Sequence, residues 1–563
     1  MRILPRLPLV RNQCIGFLGS ILFLPAIAQV SGELADVELQ RQQQRDEARR
    51  RQDEATPDVR LPSPTVPGST GYPSGEKPCF VIRQVKLEGE QARRFEWALG
   101  AASSALGQCL GSKGLNAVVS NIQNALIEGG FVTTRVLAAP QDLLSGELHL
   151  LLVPGRIRAI RFVDAAPRGG YLTALPARPG EVLNLRTIEQ GLENFKRVPG
   201  TQADIQINPG EQPGESDLLI QWTAGRRFRI NLSADDSGSR ATGTYQGGLT
   251  LSADNLFGLH DLAYVTLNRN LPGDSPRGAH GTNNAALHYS IPYGFWLASI
   301  QINDYRYYQT VAGANQDYIY RGTSTTAEVK LARLLYRDAA RKTTVSLRAY
   351  QRSSRNYIDD TEVEVQRRRM GGFAGGFQHK EFIGNSTVEA GVTWKVGTAA
   401  FGTMPAPEEQ YGEGTARPRL FNADINLNVP LGRSIVYQGG WRAQWNRTAL
   451  VPQDRFAIGG RYTVRGFDGE SSLSSERGWL LRNDLVWTVP ATTQQLYVAL
   501  DHGVVSGPGA QRLIGTRLTG IALGWRGQWG HLQGELFAGK PLRKPTGFRT
   551  ASVTTGFNLN LEF

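Results

Sequence analysis

The last ten residues of the chain, Thr554–Phe563, alternate in polarity and end on an aromatic residue. One face of the corresponding strand is largely apolar and contains Thr555, Phe557, Leu559, Leu561 and Phe563. The other face is polar and contains Thr554, Gly556, Asn558, Asn560 and Glu562. A transmembrane β-barrel needs such strands because one face meets lipid and the other meets a wet lumen. A strand of a soluble sandwich alternates in the same way, so the recurrence of the pattern decides between the two.

The alternation recurs from about Arg226 onward, where helical periodicity ends, for example in 228–235, 345–349 and 422–429. Its polar face carries Asn, Asp, Ser and Arg, which are costly against a dry sandwich core but not against lumenal water. Aromatic residues cluster near the expected strand ends, as in interfacial girdles: Tyr293, Trp296, Tyr305, Tyr307, Tyr308, Trp487 and Trp529. Residues 226–563 are therefore predicted to form a transmembrane barrel of about 16 antiparallel strands.

The N-terminal residues have the pattern of a secretory signal peptide. Three arginines among the first eleven residues precede an apolar core, Ile15–Leu24, and Ala26-Ile27-Ala28 fits the small-residue cleavage rule. The sequence predicts a signal peptide over 1–28 and a mature chain that begins at Gln29. A membrane anchor is the less favoured alternative because the apolar core is short and is followed by Pro25.

Cleavage would lower the formal net charge from +12 to +9, since three arginines and no acidic residue are lost. The basic residues are spread along alternating strands, so nucleic acid is not the expected partner. The phosphate groups of outer-membrane lipid and lipopolysaccharide would also favour a positive net charge on the protein. Cleavage also removes Cys14, and the remaining Cys79 and Cys109 suggest one disulfide in an exported protein. Two buried free thiols are the alternative.

Residues 31–55 are rich in helix formers, and the helix they predict is polar on all sides. Such a helix does not belong in a dry core. Its length of roughly 33 Å is similar to the roughly 30 Å of a hydrocarbon core. The sequence therefore predicts a plug helix that lies through the barrel lumen, with a solvated leader as the alternative. Residues 56–78 contain six prolines and are predicted to be an extended linker.

Two α/β modules are predicted between the linker and the barrel. In residues 79–154 the order is strand, helix, helix, strand, strand, with Val118, Ile122 and Leu126 at helical spacing. The same order is expected over 155–225, where Arg186–Arg197 forms a helix. The predicted fold class is thus α+β tandem modules followed by a C-terminal transmembrane β-barrel.

Two short motifs in the barrel region suggest a function. The first is Val464-Arg465-Gly466-Phe467, and the second contains Asp501 and Gly503. Alone, each motif also fits an ordinary loop or strand end. Combined with the modules and the barrel, they resemble the two-partner secretion transporters (TpsB), the family of haemolysin and filamentous-haemagglutinin exporters. Stretches 130–136, 140–143 and 146–148 resemble the first POTRA domain of that family, so the resemblance assigns POTRA 1 to 79–154 and POTRA 2 to 155–225.

The resemblance implies that the Val-Arg-Gly-Phe motif lies at the tip of a loop folded into the lumen, where Arg465 meets Asp501 on the barrel wall. The family often has Phe two positions before this Asp, whereas this chain has Ala499. The implied function is export of a large unfolded partner from the periplasm across the outer membrane. The partner would be a haemolysin-, haemagglutinin- or adhesin-like exoprotein and is expected to be a β-solenoid. Phe563 is expected to serve as the terminus recognised by the barrel-assembly machinery.

Two other transport functions remain open at this stage: an outer-membrane protein insertase of the same superfamily, and a passive porin. Insertases usually carry more POTRA domains and no lumenal helix, and a porin has no need of two modules. An enzyme is not expected because the sequence contains no His-x-x-x-His pair, no Gly-x-Ser-x-Gly and no phosphate-binding loop. We expect no cofactor and no metal site.

Overall fold

The computed structural model describes residues 37–48, 57–62, 71–73, 75–164, 166–273 and 278–563. The predicted signal peptide lies outside the described residues. Of the predicted plug helix 31–55, residues 37–48 are described and are helical. No helix in the described ranges combines the length and the apolar character needed to cross a bilayer.

The first module is built around a three-stranded sheet. Glu147–Val153 is its central strand, parallel to Gln84–Glu88 and antiparallel to Arg135–Leu137. The other elements are Phe80–Val81, Ala92–Phe95, the 3₁₀ helix Glu96–Ala105, Cys109–Leu110 and the helix Ser112–Glu128. The predicted strand Phe80–Leu87 is interrupted because Ile82 N donates to Gln108 O while Arg83 N donates to Gly146 O. The chain thus changes partner strands at this point.

The predicted disulfide between Cys79 and Cys109 is present in this module. It lies beside the pairing of Phe80–Val81 with Cys109–Leu110. Glu76, three residues before Cys79, accepts hydrogen bonds from the backbone N–H groups of Gly114, Lys113 and Gly111 at 2.9–3.0 Å. These bonds, that of Gly114 foremost, lower the pKa of Glu76. The end of the proline-rich segment thereby caps the helix Ser112–Glu128.

The second module has a central strand, Glu215–Thr223, between Arg156–Phe162 and Gln202–Pro209. Its helix, Leu185–Lys196, buries Ile188, Leu192 and Phe195 against this sheet. The expectation of two helices is wrong for the described part of this module: residues 168–174 form turns instead. Gly170, with φ of 60°, provides a backbone conformation that a right-handed helix cannot contain.

Sixteen long antiparallel strands form a closed barrel: Phe228–Asp235, Gln246–Asp254, Leu262–Asn270, Gly281–Tyr293, Trp296–Ala312, Asp317–Arg337, Arg341–Ile358, Arg368–Ile383, Ser386–Thr398, Arg419–Pro430, Ile435–Asn446, Arg477–Thr488, Gln495–Ser506, Arg517–Trp529, Leu532–Arg543 and Thr554–Glu562. A two-residue strand, Thr361–Glu362, extends one hairpin. The predicted architecture of two α/β modules followed by a 16-strand barrel is confirmed.

The first and last strands close the barrel, and they show the two faces that the alternation predicts. Phe228 is 65% exposed and Ile230 is 44% exposed on the outer face. Arg229 lies between them in the chain and donates to Asp254 at 2.7 Å and to Glu562 of the last strand at 2.8 Å. Phe563 N donates to Ile230 O at 2.9 Å. The seam is therefore joined by backbone bonds and by an arginine that lies on the lumenal face.

The second module rests on one end of the barrel, which we call the near rim. Thr173 Oγ1 donates to Leu259 O at 3.1 Å, and Asn194 Nδ2 donates to Gly294 O at 2.8 Å. His260, in the turn between the second and third barrel strands, packs its ring edge-on to Phe195 at 4.7 Å. Its Nε2 lies 2.8 Å from Gly170 O. The helix, the turns and the near rim thus meet around one buried imidazole.

This imidazole should make the packing of the second module sensitive to pH. Burial lowers the pKa of His260, although the carbonyl of Gly170 and the charge of Asp261 oppose the shift. The unfolded chain binds a proton near pH ~6.5, so stability is full above that value and declines as the pH falls toward the folded pKa. We expect the midpoint of thermal loss of helical circular dichroism to decrease between about pH 7.5 and about pH 5.5.

The variant His260→Asn should flatten this pH dependence, because Asn does not titrate and tolerates the positive φ of 58° at this position. His531→Gln, at an exposed histidine in another turn of the barrel, is the matched control and should leave the pH dependence of the midpoint unchanged. If the midpoint depends on pH equally in H260N and in the unmodified protein, His260 is not the group responsible for the pH dependence.

Candidate functional site

The segment between the strands Ile435–Asn446 and Arg477–Thr488 folds into the barrel lumen. It contains a short hairpin in which Phe456–Ile458 pairs with Leu473–Ser475. Its apolar side chains form a small buried cluster with residues of the barrel and of a neighbouring loop: Ile458, Val464, Phe467, Leu473, Leu480, Val505, Leu518 and Phe548. The segment, which we call the lumenal loop, is thus packed against the inner wall, and its tip contains the Val-Arg-Gly-Phe motif.

Arg465 and Asp501 are in direct contact, as the resemblance implied. Arg465 Nε donates to Asp501 Oδ2 at 2.7 Å, and Nη2 donates to Asp501 Oδ1 at 2.7 Å. The backbone N–H of Arg465 also donates to Asp501 Oδ2, at 2.9 Å. Arg465 is 3% exposed and Asp501 is fully buried. The guanidinium and the carboxylate meet in the planar two-bond arrangement that is the strongest geometry for this pair.

Other charged residues of the wall complete the network, and the sequence motif did not reveal them. Asp484, on the strand next to Asp501, accepts from Arg465 Nη1 at 3.1 Å and from Nη2. Arg482 lies 3.9 Å from Asp501, and Arg526 lies 3.5 Å from Asp484. Arg526 also pairs with Glu535 at 3.0 Å. Three arginines face three carboxylates, so the buried network is balanced in charge.

Glycine residues on the wall allow the motif to approach. A Cβ at Gly503 would lie 2.9 Å from Val464, and a Cβ at Gly520 would lie 1.9 Å from Arg465 O. A Cβ at Gly539 would lie 2.8 Å from the Cα of Gly466, which itself has φ of 93°. Adjacent strands thus lack side chains where the loop backbone meets them. The role of Gly503 is explained by this close contact and not by any polar interaction.

Ala499, the departure from the family pattern, is fully buried in a cluster with Val486, Tyr497 and Ala522. The Tyr497 ring lies 4.2 Å from the Arg526 guanidinium, and its hydroxyl donates to Glu535 at 2.8 Å. An aromatic ring is therefore present beside the ionic network, although it projects from position 497 and not from 499.

The helical residues 37–48 lie inside the lumen and contact the lumenal loop on one side. Gln40 Nε2 donates to Pro452 O at 2.6 Å and to Ser474 Oγ at 3.1 Å. Arg41 donates to Gly469 O, and Gln44 donates to Ala457 O at 3.3 Å. We call these residues the lumenal helix. The loop and the helix thus hold each other in the lumen through polar side chains.

The opposite side of the lumenal helix contacts the barrel wall. Arg45 pairs with Asp235 of the first strand at 3.0 Å. Asn303 of the fifth strand donates to Asp46 at 2.6 Å, and Tyr305 of the same strand donates to Glu38. The main apolar contact is Leu39, which packs with Tyr305, Tyr307 and Tyr320. The prediction that Tyr305 and Tyr307 belong to an interfacial girdle is therefore wrong, because both are buried against the lumenal helix. The polar helix that the sequence predicted is therefore accommodated by polar partners on the wall.

Residues 57–62 of the linker are held between the second module and the near rim. Val59 N donates to the Glu193 carboxylate and Leu61 N donates to the Glu189 carboxylate, both at 2.8 Å, so two side chains of the module helix hold alternate backbone N–H groups of the linker. From the barrel, Arg337 contacts Glu189 at 3.1 Å and Glu193 at 2.9 Å and donates to Val59 O. We call this cluster the linker clamp.

Lysines of the barrel extend the linker clamp to Asp58. Lys342 lies 2.7 Å from Asp58 and Lys380 lies 2.5 Å from it. Burial alone would raise the pKa of Asp58, but hydrogen bonds and charge from the two lysines bring that pKa below its ordinary value. Arg60 places its guanidinium 4.6 Å from the Phe382 ring. The linker is thus fastened to both bodies by charge-assisted bonds.

Comparison with known proteins identifies the family. The family model "Haemolysin secretion/activation protein ShlB/FhaC/HecB" matches residues 214–527, and POTRA models match 80–155 (ShlB-type) and 156–209. The chain belongs to this family. The two modules are POTRA domains in the periplasm, the barrel lies in the outer membrane, and the near rim is its periplasmic end.

Full-length relatives and solved structures agree with this assignment. The chain is 35% identical over 554 residues to the outer membrane transporter CdiB-2 of Burkholderia pseudomallei (strain 1026b), which covers 94% of each chain. It is 26% identical over 445 residues to the hemolysin transporter protein ShlB of Serratia marcescens, covering 76% of this chain and 75% of that protein. The structure of CdiB from Escherichia coli superposes with a TM-score of 0.84 at 26% identity, covering 94% of this chain and 99% of that one.

These findings show that the protein is an outer-membrane transporter of two-partner secretion, which exports a partner exoprotein. Of the predicted site residues, the structure brings Val464, Arg465, Gly466, Phe467, Asp501 and Gly503 together on one part of the wall. Phe563 lies apart from them at the barrel seam and is 51% exposed.

Removal of the Arg465 side chain should release the lumenal loop. Arg465→Ala leaves Asp501 and Asp484 with only the more distant Arg482 and Arg526, and breaking one partner of a buried pair costs about 3–5 kcal/mol. We expect the loop to become sensitive to protease in detergent-solubilised protein, and Arg465→Lys to be intermediate because an ammonium cannot form the forked pair. The measurement is the rate of cleavage within residues 447–476.

Arg455→Ala is the matched control, because Arg455 belongs to the same loop and donates to the backbone oxygen of Leu450 at 3.3 Å. Its cleavage rate should stay close to that of the unmodified protein. If R465A and R455A are cleaved equally slowly, the ionic network does not hold the loop.

Loss of the Arg337 side chain should open the linker clamp. We expect Arg337→Gln to raise the alkylation rate of a cysteine placed at buried Val59 at least tenfold, because several charge-assisted bonds are lost together. Arg341→Gln is the control: Arg341 lies in the same turn but pairs with Asp338 at 3.1 Å. Equal rates in R337Q and R341Q would show that the clamp does not depend on Arg337.

Proposed function

We propose that this transporter exports an unfolded partner exoprotein by displacing the lumenal helix and then the lumenal loop from the barrel. The helix is held mostly by hydrogen bonds that its polar side chains make with backbone oxygens of the loop and with polar side chains of the wall, and this observation supports the proposal. Such bonds exchange with water at a small net free-energy change, since water satisfies the same groups. A helix held by a large apolar interface would not leave a wet channel as readily.

The linker clamp sets the direction in which the helix leaves. Residues 48 and 57 are nine positions apart, so they are separated by at most about 30 Å when the chain is extended. While residues 57–62 remain fastened at the near rim, the helix can therefore move out on the periplasmic side. This movement leaves the opposite end of the lumen free for the exoprotein.

The POTRA domains are proposed to receive the exoprotein. In the second domain Gln202–Pro209 is an eight-residue strand that pairs with Glu215–Thr223 on one side. Among the described residues no strand pairs with its other side. An extended segment of the exoprotein would add to such an edge through backbone hydrogen bonds. If the exoprotein is a β-solenoid, each coil that folds outside would template the next and favour outward movement.

We also propose roles for the C-terminal residue and for the outer face of the barrel. The terminal Phe563, exposed beside the barrel seam, is proposed as the residue read by the barrel-assembly machinery. The outer face is proposed to contact lipopolysaccharide as well as phospholipid. Transport is proposed to proceed without any catalytic activity of this chain.

A reversible cross-link tests whether the helix must move. We would place cysteines at Gln44 and Ala457, whose side-chain nitrogen and backbone oxygen are 3.3 Å apart, and join them with a short reductant-cleavable linker. Cells would co-express the chain with the large exported protein encoded beside it. We expect export into the medium to stop after cross-linking and to return after reduction.

The single-cysteine variants are the controls and should export normally after the same treatment. Export that continues through a fully cross-linked barrel would overturn the proposed displacement. Retention of the exoprotein by the unmodified, correctly assembled barrel would instead favour the insertase or porin function.

Planar-bilayer conductance tests the same proposal without an exoprotein. Deletion of residues 33–55 should raise the ion conductance of the barrel, because the lumenal helix no longer occupies the channel. The control is Gln44→Ala, which removes one contact and should have a much smaller effect. Unchanged conductance in the deletion variant would show that the helix does not obstruct the lumen.

A further inference from the structure

A cavity lies between the second POTRA domain and the periplasmic rim of the barrel. Its volume is about 290 Å³, and it is lined by the segment 166–168, by Trp222 and by the junction 224–227. The barrel turn that contains Leu256 and Gly258 forms its remaining side. Export as proposed above makes no use of this cavity.

The cavity is strongly basic. Arg168, Arg226 and Arg227 line it, and all three are exposed. Within the part of the chain that the structure describes, no carboxylate forms an ion pair with any of them. The one acidic lining residue is Asp254, whose carboxylate is engaged by Arg229 at 2.7 and 3.3 Å. Three positive charges therefore face the cavity without a compensating anion. An anion with several oxygen atoms would pair with these guanidinium groups.

The cavity lies where the barrel enters the lipid. Phe228 follows the junction directly and is 65% exposed, and Phe257 in the neighbouring turn is 64% exposed. The Arg227 guanidinium lies 5.6 Å from the Phe228 ring, and the Phe257 ring packs edge-on to Tyr289 at 5.9 Å. Aromatic rings of this kind mark the boundary between headgroups and acyl chains.

The backbones on the two sides of the cavity are in close contact. A Cβ at Gly169 would lie 2.0 Å from Gly258 O, and a Cβ at Gly258 would lie 2.8 Å from the Cβ of Arg168. A Cβ at Gly225 would lie 2.7 Å from the backbone of Gly200. The backbone positions from which the arginines project are therefore fixed by packing, although their side chains are exposed.

We propose that this cavity binds the phosphodiester headgroup of a phospholipid from the periplasmic leaflet. Guanidinium groups recognise phosphate oxygens through two parallel hydrogen bonds. The acyl chains would run along Phe228 and Phe257 on the outer face. A lipid held in this way joins the second POTRA domain to the membrane surface and to the first barrel strand.

Native mass spectrometry of the full-length protein in detergent tests the proposal. The probes are phosphatidylglycerol, glycerol 3-phosphate, which has no acyl chains, and diacylglycerol, which has no phosphate. We expect phosphatidylglycerol to bind at one site with higher affinity than either fragment. The double variant Arg168→Gln/Arg226→Gln should lower that affinity at least tenfold.

Arg433→Gln is the matched control, because Arg433 is an exposed arginine in another periplasmic turn. Gel mobility of unheated samples would verify that each variant keeps a folded barrel. Equal affinity in R433Q and in the double variant would overturn the proposal. Equal binding of glycerol 3-phosphate and phosphatidylglycerol would also overturn it, since the cavity would then be a site for soluble phosphates. Neither result depends on whether the exoprotein is exported.

Discussion

The buried contact of Arg465 with Asp501 and Asp484 is the interaction on which the arrangement inside the barrel depends. A guanidinium removed from water needs compensating anions at close range, and the wall provides them on two adjacent strands. Because three arginines and three carboxylates share the region, no net charge is left buried. The apolar cluster around Val464 and Phe467 surrounds the network, and the glycines at 503, 520 and 539 let the backbone come close enough for it to form. Without Arg465, the same contacts would bury Asp501 against the loop without its two-bond partner.

The lumenal helix depends on this loop, because the loop provides half of its partners. Gln40 and Gln44 donate to loop backbone oxygens, whereas Arg45 and Asp46 reach the opposite wall. The loop is fixed by buried ion pairs and apolar packing, whereas the helix is fixed mainly by polar contacts, the Arg45–Asp235 pair among them. In the proposed mechanism the helix is therefore the first of the two to leave the lumen.

The sequence predicted what depends on periodicity and on local composition. Two-residue alternation identified the barrel and its lipid face at Phe228 and Ile230, and a helix without an apolar face was correctly placed in a polar channel. The sequence did not predict the partners that tertiary structure brings together. Asp484, Arg526 and Glu535 resemble any other lumenal polar residues in an alternating strand, and the linker clamp joins residues 57–62 to positions more than a hundred residues away. The second helix expected in the second module is replaced by turns near Gly170. Pro167 followed by Gly169-Gly170 indicates a turn there, but the prediction relied on periodicity alone.

The linker clamp and the lumenal network are both built from arginine–carboxylate pairs. In the clamp Arg337 of the barrel pairs with glutamates of the POTRA helix and donates to Val59 O. In the network Arg465 of the loop pairs with aspartates of the barrel wall, and its backbone N–H donates to one of them. The clamp fixes the linker to the second POTRA domain and the rim together, so a tilt of that domain cannot occur without breaking contacts to Val59 and Leu61. A segment bound at the edge of the POTRA sheet can therefore act on the lumenal helix mechanically, through a linker only about 30 Å long at full extension. This gives the periplasmic domains a physical route to the channel that does not require the exoprotein to touch the helix first.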